Sequence, residues 1–368
     1  MLKKIIGFIC EIDNPFTNEN LYNGCGGSET WVIKLAYEFE KLNYHIIVFN
    51  KLDYHFLATP NIEYVQIDKL VDRLNFQHFD HIFIMRQYSQ DIINILKEHC
   101  NCKNYYLVAH DLRLWKKTQD NNLQYFLDDS SNFLTYYDIE NDEWNKSHIH
   151  KLFLMSDFHY EQNKEYFPPE FCNIIGNGID ITEYNNYNRD NSILWSSCYE
   201  RGIDILIDKI YPLVIKEIPD FKIYTACYNN NLPDKYNDLD YVINLGSLSK
   251  EDLYNEFQKH KVWFLPLCHW ETFCISVLEA IINNVNISIP FKFGIKTSLK
   301  YFESICLKDG EYTDDEYIQY VANDIIDKIK NYNKYAQLRS ILYEYVKDNY
   351  SWESIANKIN NVLISYES

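Results

Sequence analysis

The chain is short of positive charge. Its 368 residues carry 35 Lys and Arg against 53 Asp and Glu, a formal net charge of −18 at pH 7. A phosphate backbone needs clustered cations, which excludes nucleic acid as the main partner; a nucleotide needs only a few local cations and stays open. Long apolar runs are also missing. No stretch approaches the length of a membrane span, so no transmembrane segment is expected, and peripheral contact with a membrane is left open. The apolar run after Lys3 and Lys4 meets acid at Glu11; it is too short for a signal-peptide core and fits a first buried strand. Ten cysteines are scattered along the chain, and Cys100 and Cys102 form a lone C-x-C without a partner pair at zinc-site spacing. Reduced, buried thiols of a cytoplasmic protein are the expectation. The dinucleotide G-x-G-x-x-G fingerprint is absent. Glycine and proline are scarce, 10 and 9, beside abundant Asn, Ile, Lys and Tyr, a bias that points to an A/T-rich gene and not to a function.

What is present is ordinary globular material, 46% hydrophobic and 24% charged, in a length that suits two domains. In the first half, strand candidates recur at Lys4–Cys10, His45–Phe49, Ile62–Ile67, His81–Met85, Tyr105–Ala109, Phe133–Tyr137 and Leu152–Met155. The clearest helix is Glu29–Leu42, with Val32, Leu35, Ala36, Phe39 and Leu42 along one face. Strands alternating with helices mean βαβ units and a parallel sheet, hence an α/β fold. The polar stretch Thr182–Asn191 reads as a linker. The pattern then restarts, with strands at Ile193–Ser196, Phe221–Thr225, Tyr241–Leu245, Val262–Leu267, Asn286–Ile289 and Ser304–Leu307. Helices are expected at Ile203–Ile218, Lys250–His260 and Val277–Asn283 and after Thr313, with Pro212 as a kink. No residue-level repeat links the halves.

Four stretches carry chemistry. Gly24 to Glu29 places Gly26 and Gly27 just before a helix, where a backbone can approach an anion; a plain turn with Ser28 as helix cap is the alternative. His110-Asp111 ends an apolar strand, where the His can bond a sugar hydroxyl or phosphate or simply be structural. Arg86 ends another strand and reads as a surface ion pair more than as an anion ligand. Ser196 to Gly202 follows the first strand of the second half and carries Arg201, whose planar donors suit a diphosphate or stand exposed. The fourth is the strand–loop–helix at 261–290. Its loop holds Glu271 between Trp270 and Phe273, and Ser276-x-x-Glu279 matches a capping box that alone would explain Glu279. The free N–H groups of the helix start face the same space. Gly176-Asn177-Gly178 is turn chemistry, and Ser351–Ser368 is an amphipathic terminal helix led by Trp352, Ile355 and Ile359.

In this order, the motifs resemble the retaining glycosyltransferases of family 4, which have the GT-B fold. Gly26-Gly27-Ser28-Glu29 resembles that family's Gly-Gly-x-Glu loop, and Asn177-Gly178-Ile179-Asp180 its N-G-[IV]-D where two domains meet. Glu200-Arg201-Gly202 stands where the family has Glu-Lys-Gly, Glu271 to Glu279 matches the E-x7-E signature, and Ser351-Trp352-Glu353 resembles the opening of the last helix. The resemblance covers nearly the whole chain. It implies two Rossmann-like parallel-sheet domains facing across a cleft, spanning 1–180 on the acceptor side and 192–350 on the donor side. A linker at 181–191 joins them, and a terminal helix at 351–368 crosses back onto the first domain. It implies sugar transfer from a nucleotide-diphosphate-sugar, such as a UDP- or GDP-sugar, to a hydroxyl of a glycan, polysaccharide or lipid-linked acceptor. Configuration would be retained and neither cofactor nor metal used.

Residue by residue, the resemblance makes Glu271, Arg201 and His110 catalytic. Arg201 would neutralise the leaving diphosphate, Glu271 would contact the transferred sugar, and His110 would touch it from the acceptor side. Donor binding falls to Gly26, Gly27, Ser196, Ser197, Phe273, Cys274, Ile275, Ser276 and Glu279, the last on the ribose. Two departures bear on this. Ser196-Ser197 replaces the usual Gly-Arg pair, and Asn284 and Asn286 replace the Gly and Pro of the usual Gly-x-Pro, although Asn tolerates positive φ. The missing pair keeps a non-catalytic nucleotide-sugar or glycan-binding module in view, and a sugar-nucleotide epimerase on the same fold is a further alternative.

Overall fold

The structure is a computed structural model that describes residues 3–11, 14–23, 26–117, 133–184, 188–227 and 232–367. The chain divides into two compact units. One comprises Met1–Asn20, Cys25–Asn177 and Trp352–Ser368, the other Leu21–Gly24 and Gly178–Ser351. Leu21–Gly24 aside, the main chain passes from one unit to the other between Asn177 and Gly178, and again between Ser351 and Trp352. Of the segment 181–191, residues 185–187 lie outside the described residues, and Asp190 and Asn191 already belong to a strand.

The first unit contains strands β1 (Lys4–Ile9), β2 (Tyr44–Asn50), β3 (Phe56–Thr59), β4 (Ile62–Gln66) and β5 (His81–Met85). They are followed by β6 (Gln87–Ser89), β7 (Tyr105–Val108), β8 (Trp115–Lys117), β9 (Ile149–Leu154) and β10 (Cys172–Ile174). Eight of these form one sheet in the order β10-β9-β7-β5-β1-β2-β4-β3, and β6 pairs with β8 apart from it. All neighbours in the large sheet are parallel except the edge pair β3–β4. Strands β5 and β7 are buried at every position, as sheets covered on both faces require. Helix Gly27–Lys41 covers one face through Trp31, Val32, Leu35, Ala36 and Phe39; Leu42, expected on that face, is an exposed cap residue instead.

The terminal helix Trp352–Ser365 packs on this unit against helix Gly27–Lys41. Tyr44 Oη donates to Asn360 Oδ1 (2.7 Å), the buried His81 bonds Glu367 Oε1 through Nε2 (3.0 Å), and Lys4 pairs with Glu367.

The second unit holds β11 (Asp190–Trp195), β12 (Lys222–Thr225), β13 (Val242–Asn244), β14 (His260–Phe264) and β15 (Asn286–Ser288), all parallel, in the order β13-β12-β11-β14-β15. The order runs one way from β11 to β13 and the other way through β14. The switch point of this doubly wound sheet therefore lies between β11 and β14, and ligands of such sheets bind outside the carboxyl ends there.

Two expectations fail. Phe133–Tyr137 is not a strand: Thr135 caps helix Tyr136–Glu140 in a reciprocal box with Asp138, which outweighs the β propensity of the aromatic run. Ser304–Leu307 is a 3₁₀ turn at Glu303–Ile305 with a single bridge from Leu307 to Pro290. The helix expected at Ile203–Ile218 does form, but as a π-helical stretch, Ile205–Ile210, running into a short α-helix that ends at Val214. Pro212 supplies no N–H to the carbonyl four residues back, and the turn before it widens.

Candidate active site

Two loops flank the switch point of the second unit, and side chains bind them to each other. After β11 the chain runs through Ser196 and Ser197 into a 3₁₀ turn at Tyr199–Arg201, closed by Gly202 at φ 109°. A Cβ on Gly202 would stand 2.7 Å from Pro266 Cγ in the loop after β14, so glycine is required there by φ and by space alike. Arg201 pairs with Glu271 across the gap. His269 Nε2 donates to Glu200 O (3.1 Å) and Trp263 Nε1 to Ser196 Oγ (3.0 Å). Trp195 Nε1 donates to Ser197 O (2.7 Å), so both serines serve to fix the turn. The Arg201 side chain is 42% exposed and that of Glu271 14%. An ion pair that wet contributes about 1 kcal/mol or less to folding. The pair is more valuable for what it presents to a ligand than for stability.

The backbone around Glu271 is held in uncommon conformations. Leu267, Cys274 and Phe293 all have positive φ, at 50°, 68° and 53°. Each costs on the order of 1–3 kcal/mol and persists only where the surroundings impose it. Gly294 is one cause: its N–H donates to Glu271 O (2.9 Å), and a Cβ on it would lie 2.5 Å from Thr272 O and 2.7 Å from Phe273 Cα. Phe273 is buried edge-on against Tyr350, ring centroids 5.4 Å apart. Burial and the nearby Glu271 push the Cys274 thiol up to about 12, so it carries no thiolate at neutral pH.

The left-handed Cys274 caps helix Ile275–Ile282 without a side-chain bond. The capping box expected at Ser276 and Glu279 is therefore absent: Ser276 already lies inside the helix, and its hydroxyl faces the Cys274 thiol (3.6 Å). Ile275 and Ser276 place their N–H groups at the helix start, beside the Arg201–Glu271 pair's own loop. Glu279 is buried, its side chain only 5% exposed, and pairs with Lys250 at the head of helix Lys250–Phe257. Beside it, burial together with Glu279 and Asp180 pushes the Tyr254 phenol well up.

The first unit has its own carboxyl-end cluster. Gly26 precedes helix Gly27–Lys41, and a Cβ on it would collide with the carboxylate of Glu29, which folds back over it. Ser28 does not cap: it is buried in the first turn. Glu29 also raises the Cys10 thiol at the end of β1, after burial itself. Gly24 and Cys25 lie outside the described residues. His110 follows β7; its ring sits edge-on to Trp31 at 5.4 Å and both its nitrogens are shielded from solvent. Burial, then Arg86 and His159, lower its pKa to about 3, so the imidazole is neutral at pH 7. Arg86, at φ 63°, donates through Nε and Nη2 to both oxygens of Asp111 (3.0 and 3.1 Å), the ion pair the sequence suggests.

The structure thus brings Ser196, Ser197, Arg201, Glu271, Phe273, Cys274, Ile275 and Ser276 to one end of one sheet, with Glu279 one helical turn further on. Gly26, Gly27 and His110 stand at the carboxyl end of the other sheet. Lys250 and Gly294 escape sequence reasoning. No spacing links Lys250 to Glu279, whereas a lone Gly294 between Phe293 and Ile295, in so glycine-poor a chain, is a signal. Among the described residues, no three His, Cys, Asp or Glu side chains converge as metal ligands, and no helix is long and apolar enough to cross a membrane.

No protein-family model matches the chain, and no curated protein matches it. Solved structures do. HepE of Anabaena, crystallised with UDP and glucose, is 14% identical over 98% of this chain and 100% of its own, with a TM-score of 0.64. A glycosyltransferase from Rickettsia africae is 12% identical over the whole of both chains, with a TM-score of 0.68. TarM of S. aureus is 20% identical over 84% of this chain and 61% of its own, with a TM-score of 0.56. The fold is accordingly GT-B, with two Rossmann-like parallel-sheet domains.

Proposed function

We propose that the protein is a glycosyltransferase that moves a sugar from a nucleotide-diphosphate-sugar to a hydroxyl acceptor, with retention of configuration and without a metal. One observation carries this reading: the Arg201–Glu271 pair, on the two loops that flank the switch point of a GT-B second domain, beside the N-terminus of helix Ile275–Ile282. The half-exposed guanidinium is within reach of a ligand, and two phosphates outbid one carboxylate for it. HepE, with the same fold, is seen with UDP-glucose.

In this reading the acceptor oxygen bonds to the anomeric carbon on the face from which the diphosphate departs. The anomeric carbon–oxygen bond to phosphate breaks, and the acceptor proton passes to the departing phosphate oxygen. Arg201 and the N–H groups of Ile275 and Ser276 hold the growing negative charge in place, so a fixed cation and a helix end do the work a metal does elsewhere. Glu271 orients the sugar, and Glu279, held by Lys250, takes the ribose hydroxyls. Gly26 and Gly27 are assigned to the diphosphate. His110, neutral at working pH, is assigned to a sugar hydroxyl as a hydrogen-bond partner.

A thermal-shift screen of UDP- and GDP-sugars identifies the donor, and NMR of the product's anomeric proton then reads the stereochemistry. Stabilisation by one donor class and a product of unchanged configuration are expected. No stabilisation by any donor, or an inverted product, contradicts the reading. Stabilisation without release of nucleoside diphosphate would favour a binding module, and isomerisation without acceptor an epimerase.

A further inference from the structure

Behind the edge strand β15 lies a cavity of about 160 Å³ that contains a buried cation which, among the described residues, no acid neutralises. The cation is Arg339, 5% exposed, on helix Ala336–Tyr350. Its Nε donates to Asn284 Oδ1 (3.0 Å), and its Nη1 to Asn286 Oδ1 (3.0 Å) and Tyr332 O (2.7 Å). The guanidinium also stacks on the Tyr332 ring, 3.7 Å from its centroid. Each of these partners is neutral. On the same ring, 5.7 Å from the centroid, lies Arg189, which among the described residues donates to the carbonyls of Phe257, His260 and Asn283 and so adds positive charge to the region. The cavity's other cation, Lys328, is satisfied by Asp324 (2.7 Å), and that carboxylate also accepts from Ser288 Oγ (2.7 Å). Lys328 and Asp324 cancel, and the cavity keeps one net positive charge.

A buried charge without a counter-charge is costly, and folded chains seldom carry one unless something supplies the balance. The rest of the lining says what kind of anion fits. Val285, Ile287, Ile305, Leu338 and Leu342 present hydrocarbon. One guanidinium matches one carboxylate in charge; with Nε and Nη1 already engaged, the Nη2 donors are the ones left to meet it. A phosphate dianion would demand a second cation, and Lys328 is already taken.

We propose that this cavity binds a short-chain monocarboxylate, its carboxylate on Arg339 and its alkyl tail against Leu338, Leu342 and Ile305. The site shares no residue with the Arg201–Glu271 loops and does not depend on the function proposed for them. Its competitor is a purely structural Arg339 that clamps the turn in which Asn284 takes φ 59°.

Thermal shift of the full chain at constant ionic strength separates the two. The probes are acetate, propionate and butyrate, the matching amides, inorganic phosphate and sulfate. The site predicts a saturable rise in melting temperature of a few degrees with a carboxylate, no saturable rise with its amide, and none with phosphate or sulfate. Leu338→Trp fills the cavity from a half-buried position while leaving Arg339 in the chain, and is expected to abolish the response while the protein stays folded. Leu342→Phe serves the same purpose should the first variant fail to fold. Equal responses to carboxylate and amide, a response to phosphate or sulfate alone, or a carboxylate response that survives a filled cavity each overturn the proposal.

Discussion

Arg201 and Glu271 are the residues on which the account turns, and their exposure decides what substitution does. Because the Arg201 guanidinium is nearly half exposed, the pair contributes about 1 kcal/mol or less to folding, and Arg201→Ala and Glu271→Gln should leave the melting temperature nearly unchanged. Loss of a preorganised charge on the leaving group should cost on the order of 10²–10³-fold in turnover with Arg201→Ala. Glu279 behaves differently, since its carboxylate is buried and Lys250 is its counter-charge. Lys250→Ala leaves that carboxylate unpaired and should destabilise the chain by about 1–3 kcal/mol, the lower end reflecting how wet the lysine is. Lys250→Ala combined with Glu279→Gln should recover most of the loss in a denaturant titration; a fully additive double variant would show that the two do not interact. Sequence alone left Glu279 divided between capping and binding, because Ser276-x-x-Glu279 fits the capping pattern. Local pattern could not show that Cys274 turns left-handed and starts the helix one residue before Ser276, which frees Glu279 from the cap. Asn284 and Asn286 are a similar case: they replace a Gly and a Pro, and their common partner Arg339 lies more than fifty residues away.

At the scale of elements, the loop bearing Glu271 is positioned by Gly294, whose N–H donates to Glu271 O. Gly294→Ala would drive a Cβ into Thr272 O and Phe273 Cα, atoms of the loop itself that cannot rotate aside. Misplacement of about 1 Å costs on the order of 10²-fold, so this variant should lose turnover far more than stability. Retained activity in a folded Gly294→Ala protein would show that the loop's geometry is not what matters. The strands that build the sheets were legible because each is a continuous apolar run between turn residues; β5 begins and ends where the run does. Short edge strands such as β3 and β10 were missed, having only four and three residues and partly exposed faces. Phe133–Tyr137 misled because its aromatic content outweighed a cap signal, Thr135-x-x-Asp138, that was present in the sequence.

For the whole molecule, buried histidines set the response to acid. His110 and His159 have pKa values lowered to about 3 and about 4, burial being the first cause in each. The unfolded chain takes up protons near pH 6.5 and the folded chain does not until pH 3–4, so their contribution is full above pH 6.5 and is lost as pH falls below it. Between pH 7 and pH 5 the loss should be on the order of 2 kcal/mol for each. Denaturant unfolding at the two pH values measures it. In His159→Asn, Oδ1 can take the place of the Nδ1 that accepts from Met155 N–H, and the dependence should weaken by one group's share. A pH-independent midpoint in that range contradicts the burial of these imidazoles as neutral groups. The two-domain α/β architecture was readable from the restarting strand–helix pattern. The motifs named Arg201 and Glu271, but not that they pair, because the two are seventy residues apart and the strand order is what brings their loops together. The most direct test of that meeting point is the release of nucleoside diphosphate from a panel of nucleotide-sugars, measured for the unmodified protein and Arg201→Ala side by side. The account predicts release from at least one donor and its near-abolition in a variant that still melts at the parental temperature. No release from any donor, or equal release from both proteins, would contradict it.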